Sequence, residues 1–162
     1  MRSFPTEPSS KVRLILLIGL PGSGKSTFAR SLHSRIISTD AIRAQLFGEE
    51  VIQGSWLKIW LEVRSQFQQA VNAIASGEIE FAIYDATNAV RKQRRAAITL
   101  ARKSGFTHIT GIWINPSIEV CLERNRLRSR SVPEDVIYRM ARRLHGAPPA
   151  LDEGLDELVH LE

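Results

Sequence analysis

Apolar positions along the 162-residue chain alternate between short, nearly unbroken runs and longer stretches with helical spacing. Val12 to Leu20 is the first run and reads as a strand buried on both faces of a parallel sheet. Ser26 to Ser34 follows as a short helix, Arg35 to Thr39 as a second strand, and Ala41 to Phe47 as another helix. A glycine-containing loop then leads into a long helical stretch, Ser55 to Ser76, which Gly77 stops. Phe81 to Asp85 is a third strand, and Arg91 to Ser104 is a basic helix ended by Gly105. His108 to Asn115 gives a fourth strand, with Pro116 opening the helix that contains Cys121. A further helix runs from Pro133 to His145 until Pro148-Pro149 breaks the pattern, and Glu157 to Leu161 is the last strand. Met1 to Ser10, with two prolines and three serines, reads as a loose tail.

Strands alternating with helices predict an α/β fold: a doubly wound, mainly parallel five-stranded sheet flanked by helices, formed by residues 11–162 as a single domain. Apolar residues at 43% and charged residues at 24% exclude whole-chain disorder and collagen-like or low-complexity classes. The longest apolar run, Leu14 to Leu20, is too short for a membrane span of about 20 residues. With Lys11 and Arg13 before it, the run resembles a signal-peptide core, but Gly-Lys-Ser-Thr follows where small cleavage-site residues belong. A cytoplasmic protein is expected, and the lone Cys121 is read as a small core residue.

Between the first strand and the first helix lies Gly19-Leu-Pro-Gly-Ser-Gly-Lys25-Ser26, a complete G-x-x-x-x-G-K-[ST] loop in its proper context. Gly19, Gly22 and Gly24 let the backbone bend close to phosphate oxygens, with amides pointing inward at Ser23 and its neighbours. Lys25 reaches the β- and γ-phosphates, the Ser26 hydroxyl ligates Mg²⁺, and the helix starting there, with Thr27, adds its positive end. The sequence therefore predicts binding of a nucleoside triphosphate.

Three absences narrow the reaction. There is no Asn/Thr-Lys-x-Asp guanine-reading motif, no glycine-rich transporter signature, and Asp85 is followed by Ala86 rather than a water-polarising Glu. A phosphotransferase remains, which needs a carboxylate to take a hydroxyl proton and cations to neutralise the moving group. Asp40, expected to end the second strand at the carboxyl rim of the sheet, is either that general base or an N-cap for the helix behind it. Arg43 lies one helical turn on. Asp85 ends a buried strand at the same rim and needs a partner: Mg²⁺, a water on Mg²⁺, or Arg43. Thr87 or Asn88 is placed to cap the basic helix. Arg124 and Arg128 share a helix face, with Arg126 and Arg130 pointing elsewhere; the face is either solvated or part of a mobile lid over about 121–145.

Together these segments resemble the phage-type 5′-hydroxyl polynucleotide kinases and related P-loop kinases. The residues that carry the resemblance are Gly19 to Thr27, Ser38-Thr-Asp40-Ala-Ile-Arg43, Tyr84-Asp85-Ala-Thr-Asn88, Cys121-Leu-Glu-Arg124-Asn125-Arg-Leu-Arg128, Val132 to Met140 and Glu153 to Asp156. The resemblance implies a stand-alone kinase domain with a small helical lid. It implies Asp40 as general base, Arg43 on the acceptor phosphate or reacting group, Lys25 and Ser26 on ATP·Mg²⁺, Arg124 and Arg128 on the donor phosphates, and Asp85 holding Arg43. Asp-x-x-Arg after the second strand also resembles the toxin kinases that phosphorylate nucleotide sugars.

Charge bears on the acceptor. Residues 91–143 carry 13 Lys and Arg against 4 Asp and Glu, whereas residues 144–162 carry 5 acids and no base. A basic half beside the rim attracts a polyanion. Trp56 and Trp60, one helical turn apart, either stack bases or pack into the core. The expected function is an ATP- and Mg²⁺-dependent kinase acting on a 5′-hydroxyl end of RNA or DNA. A kinase for a small metabolite (a nucleoside, sugar or nucleotide sugar, with a small anionic acceptor in place of the nucleic acid end) and a non-catalytic ATP-dependent switch are the alternatives.

Overall fold

The computed structural model describes residues 11–48 and 55–162, so the tail expected over 1–10 lies outside the described residues. Five strands form one sheet: β1 (Arg13–Ile18), β2 (Arg35–Ser38), β3 (Phe81–Asp85), β4 (His108–Ile114) and β5 (Glu157–Leu161), in the order β2-β3-β1-β4-β5. Every ladder is parallel, so the sheet is wholly rather than mainly parallel. β1 is central, pairing Leu16 with Tyr84 on one side and Ile18 with Trp113 on the other.

The near-continuous apolar run of β1 serves both faces of the sheet. Leu14, Leu16 and Ile18 enter the larger core, whereas Leu17 packs with Ala29, Ile83 and Ile112 on the other side. Six helices flank the sheet: α1 (Lys25–Ser31), α2 (Thr39–Phe47), α3 (Trp56–Ala75), α4 (Arg91–Ser104), α5 (Ile118–Arg126) and α6 (Glu134–Gly146). α3 turns Ile59, Val63, Phe67 and Ala70 inward at helical spacing. Phe67 meets Tyr84 and Phe106 edge-on, with ring centroids 5.3 and 5.6 Å apart. Among the described residues no helix is long and apolar enough to cross a membrane.

Boundaries differ from expectation where side chains cap helices. β2 ends at Ser38, and the Ser38 hydroxyl caps α2 by accepting from the Ala41 amide at 3.2 Å. Asp40 therefore neither ends the strand nor caps the helix; it lies in the first turn of α2. Neither Thr87 nor Asn88 caps α4, whose N-cap position is Val90. Asn88 instead adopts φ +50° and donates from its amide to the Leu17 carbonyl at 2.7 Å, tying the β3 exit to β1.

Candidate active site

Because all strands run the same way, the β1, β2 and β3 ends share one rim, with Ser38 directly beside Asp85 in the ladder. The phosphate loop leaves β1 there and is held on three sides. The Gly19 amide donates to the Thr87 carbonyl at 3.0 Å. The Arg124 guanidinium donates through Nη1 to the Ser23 carbonyl at 3.1 Å. Gly22, at φ +83°, lies so close to the Cys121 carbonyl that a Cβ would collide with it. Gly24, at φ +94°, precedes α1 with no side-chain cap. The Ser23 hydroxyl is buried without a hydrogen-bond partner.

Lys25 is buried, and its Nζ lies 3.5 Å from Asp85 Oδ1. The Ser26 hydroxyl donates to Asp85 Oδ2 at 2.9 Å. The expected Asp85–Arg43 partnership is thus not formed; Asp85 holds the two functional side chains of the loop instead. Its Oδ1 meets the Lys25 ammonium but accepts no hydrogen bond among the described residues, and such a buried carboxylate oxygen beside a serine hydroxyl suits Mg²⁺, which takes one or two protein oxygens and keeps the rest for water and phosphate. Ser26 and Asp85 are the residues that would hold it. Thr27 is exposed on α1, where its hydroxyl accepts from Arg30.

Arg43 turns to Asp40, donating to Oδ1 at 3.1 Å, with the aspartate side chain half exposed. Both line a cleft of about 690 Å³ together with Lys25, Tyr84, Thr87 and Asn88. Trp56 and Trp60, stacked at 5.8 Å, form part of its wall. Burial pushes the Tyr84 phenol well above its ordinary value, and the Asp85 charge adds to this while that of Arg43 opposes it.

The arginines of the α5–α6 region are sorted differently from the helical spacing. α5 ends at Arg126, so Arg128 is not on a helix face with Arg124. Arg124 is folded onto the phosphate loop, whereas Arg128 and Arg130 both line the cleft. Arg126 alone points away, donating to Glu134 at 2.7 Å. Asn125, buried, clasps the connecting loop by donating to the Val132 carbonyl at 2.8 Å and accepting from its amide at 2.9 Å. Arg130, expected to point elsewhere, lines the cleft because the helix stops before the Ser129-Arg130-Ser131 stretch.

The site thus joins the glycine-rich loop with Lys25, Ser26 and Asp85 to a cleft that is also lined by the Asp40–Arg43 pair and by two further guanidinium groups, Arg128 and Arg130. The arrangement can bind a nucleoside triphosphate and bring a hydroxyl to its terminal phosphate. The AAA_33 family, an AAA domain, matches residues 14–147. An L-seryl-tRNA(Sec) kinase of Methanococcus maripaludis is 28% identical over 131 residues, 78% of this chain and 50% of that protein, so the chain spans half the length of this relative. A chain of the Pnkp1/Rnl/Hen1 RNA repair complex superposes with TM-score 0.62 at 18% identity, over 89% of this chain and 47% of that one. Chaetomium thermophilum Kti12 in complex with ADP-AlF3 superposes with TM-score 0.61 at 20% identity, over 91% of this chain and 88% of that one. These two likenesses are of fold. The chain belongs to the AAA_33 family of AAA domains and carries a kinase-like P-loop domain.

Proposed function

We propose that the protein is an ATP- and Mg²⁺-dependent kinase that transfers the γ-phosphate to the 5′-hydroxyl end of RNA or DNA. The observation that carries this reading is the Asp40–Arg43 pair, which shares one cleft with Lys25 of the phosphate loop. Asp40 acts as general base: the acceptor oxygen bonds to the γ-phosphorus, its proton passes to the Asp40 carboxylate, and the bond to the β-phosphate oxygen breaks to release ADP. Gly22, Ser23, Gly24 and Thr27 cradle the donor phosphates, and Lys25 neutralises them. Arg43 orients Asp40 and meets the acceptor phosphate.

Arg124 fixes the loop backbone that receives the phosphates, and Arg128 closes on the donor from the 121–145 segment, which serves as a lid on a single domain spanning 11–162. Thr87 and Asn88 support the rim, and Asp85 holds Lys25 and Ser26 in register. Mg²⁺, when bound by Ser26 and Asp85, supplies charge neutralisation on the phosphates. The site of action in this reading is the cytoplasm.

The names of two similar proteins, a seryl-tRNA(Sec) kinase and an RNA repair complex, support an acceptor hydroxyl borne on nucleic acid here. Incubation with γ-labelled ATP, Mg²⁺ and a 5′-hydroxyl oligonucleotide tests the reading. Label should enter that oligonucleotide and not its 5′-phosphorylated counterpart. Label found only on a pool of nucleosides, sugars and nucleotide sugars at low salt would overturn the polynucleotide acceptor and leave a metabolite kinase.

A further inference from the structure

Trp60 lines two cavities. One is the active-site cleft; the other is a groove of about 370 Å³ between α3 and α4, lined also by Arg64, Gln68, Leu100 and Lys103. Both helices start at the rim, α3 with Trp56 and α4 with Gln93 in the cleft wall, and both run away from it. From Trp60 to Gln68 the groove follows α3 for ~12 Å at the ordinary rise of an α-helix. Arg64 and Lys103 are exposed and pair with no carboxylate among the described residues. Among the described residues no acidic side chain lines the groove.

An aromatic platform at the head of a groove whose only charges are positive matches the recognition of single-stranded nucleic acid, where bases stack and cations track the backbone. Trp56 supplies an exposed ring at 47%, stacked on Trp60 with the planes 28° apart. We infer that the acceptor strand leaves the active-site cleft across Trp56 and Trp60 and descends the α3–α4 groove, where Arg64 and Lys103 hold its phosphates. The inference rests on the polynucleotide reading above and deepens it: it names the path of the strand beyond the nucleotide that reacts.

The test compares two acceptors, a nucleoside 3′-monophosphate and a ten-nucleotide 5′-hydroxyl strand, in wild type and in the double variant Arg64→Glu, Lys103→Glu. Reversal of the two charges should lower kcat/KM for the long strand about tenfold while the value for the mononucleotide stays within about twofold. The dependence of log(kcat/KM) on log[salt] for the long strand should become shallower by about 1.4, as expected for two lost single-strand phosphate contacts. Equal values for wild type and variant on the long strand, with the same salt slope, would overturn the groove and leave the polynucleotide reading standing. An equal loss on both acceptors would also overturn it, because the two cations would then act on something other than the strand. Wild type that labels neither acceptor would overturn the polynucleotide reading itself, and the groove with it.

Discussion

Gly22 shows how narrowly the phosphate loop is built. Its φ of +83° lies where a side chain is strained, and the space a Cβ needs is filled by the Cys121 carbonyl of α5. Gly22→Ala is therefore expected to lower nucleotide affinity at least about tenfold and stability by about 2 kcal/mol or more. Nucleotide titration and urea unfolding check both numbers, with Gly48→Ala as a comparison that carries the same backbone strain, at φ +82°, but whose Cβ meets nothing within 4 Å among the described residues. The loop's residues were legible because each fixed position answers to a phosphate oxygen or a backbone bend. Which carboxylate each cation meets was not legible. Lys25 and Ser26 engage Asp85, and Arg43 engages Asp40, although the sequence spacing equally allowed Arg43 to turn to Asp85. Side-chain direction at the strand ends decides that, and spacing alone does not contain it.

At the scale of elements, the basic helix α4 conceals a buried charge. Arg94 is fully buried and donates to Glu153 at 2.7 and 2.8 Å, to the Asn88 carbonyl at 3.1 Å and to the Ala147 carbonyl at 2.6 Å. It thereby ties the β3 exit that carries Thr87 and Asn88 to the segment before β5. Removing one partner leaves the other charge buried and alone. Arg94→Ala should cost about 3–5 kcal/mol in urea unfolding, whereas the exposed neighbour Arg95→Ala should stay within about 0.5 kcal/mol. A signal for this existed. Arg94 precedes Ala97, Ile98 and Ala101, the buried face of α4, at helical spacing, so its position on the helix was apolar although its chemistry is not. The caps of α2 and α4 were missed for a related reason: Ser38 and Val90 outrank more polar neighbours because the backbone turns there.

Across the whole molecule, strand count and parallel order followed from the alternation of apolar runs and helical stretches, since a parallel sheet covered on both faces needs little else. The charge distribution did not carry over so simply. Arg91, Arg94 and Arg102 of the basic stretch pair with Asp152, Glu153 and Asp156 of the acidic end, and Arg126 pairs with Glu134. Burial alone would raise the Asp156 carboxyl, but the hydrogen bonds from the Ile109 amide and Arg102, with the Arg102 and His108 charges, hold it below its ordinary value. Part of the apparent surplus is therefore internal, and charge blocks distant in sequence meet in space. Other cations of the stretch, among them Lys92, Arg95, Arg139, Arg142 and Arg143, are exposed and pair with no carboxylate among the described residues, while Arg128 and Arg130 line the cleft and Arg64 and Lys103 the adjoining groove.

On the proposed reading, Asp40 takes the proton of an acceptor hydroxyl in this cleft. Asp40→Asn keeps the shape and an acceptor for Arg43 but removes the base. Single-turnover transfer from γ-labelled ATP to a 5′-hydroxyl oligonucleotide, measured beside ATP binding to the same preparation, should show a rate lower by about 10²–10⁴ with ATP affinity within about twofold of wild type. A transfer rate within about threefold of wild type, or a loss matched by an equal loss of ATP affinity, would contradict it.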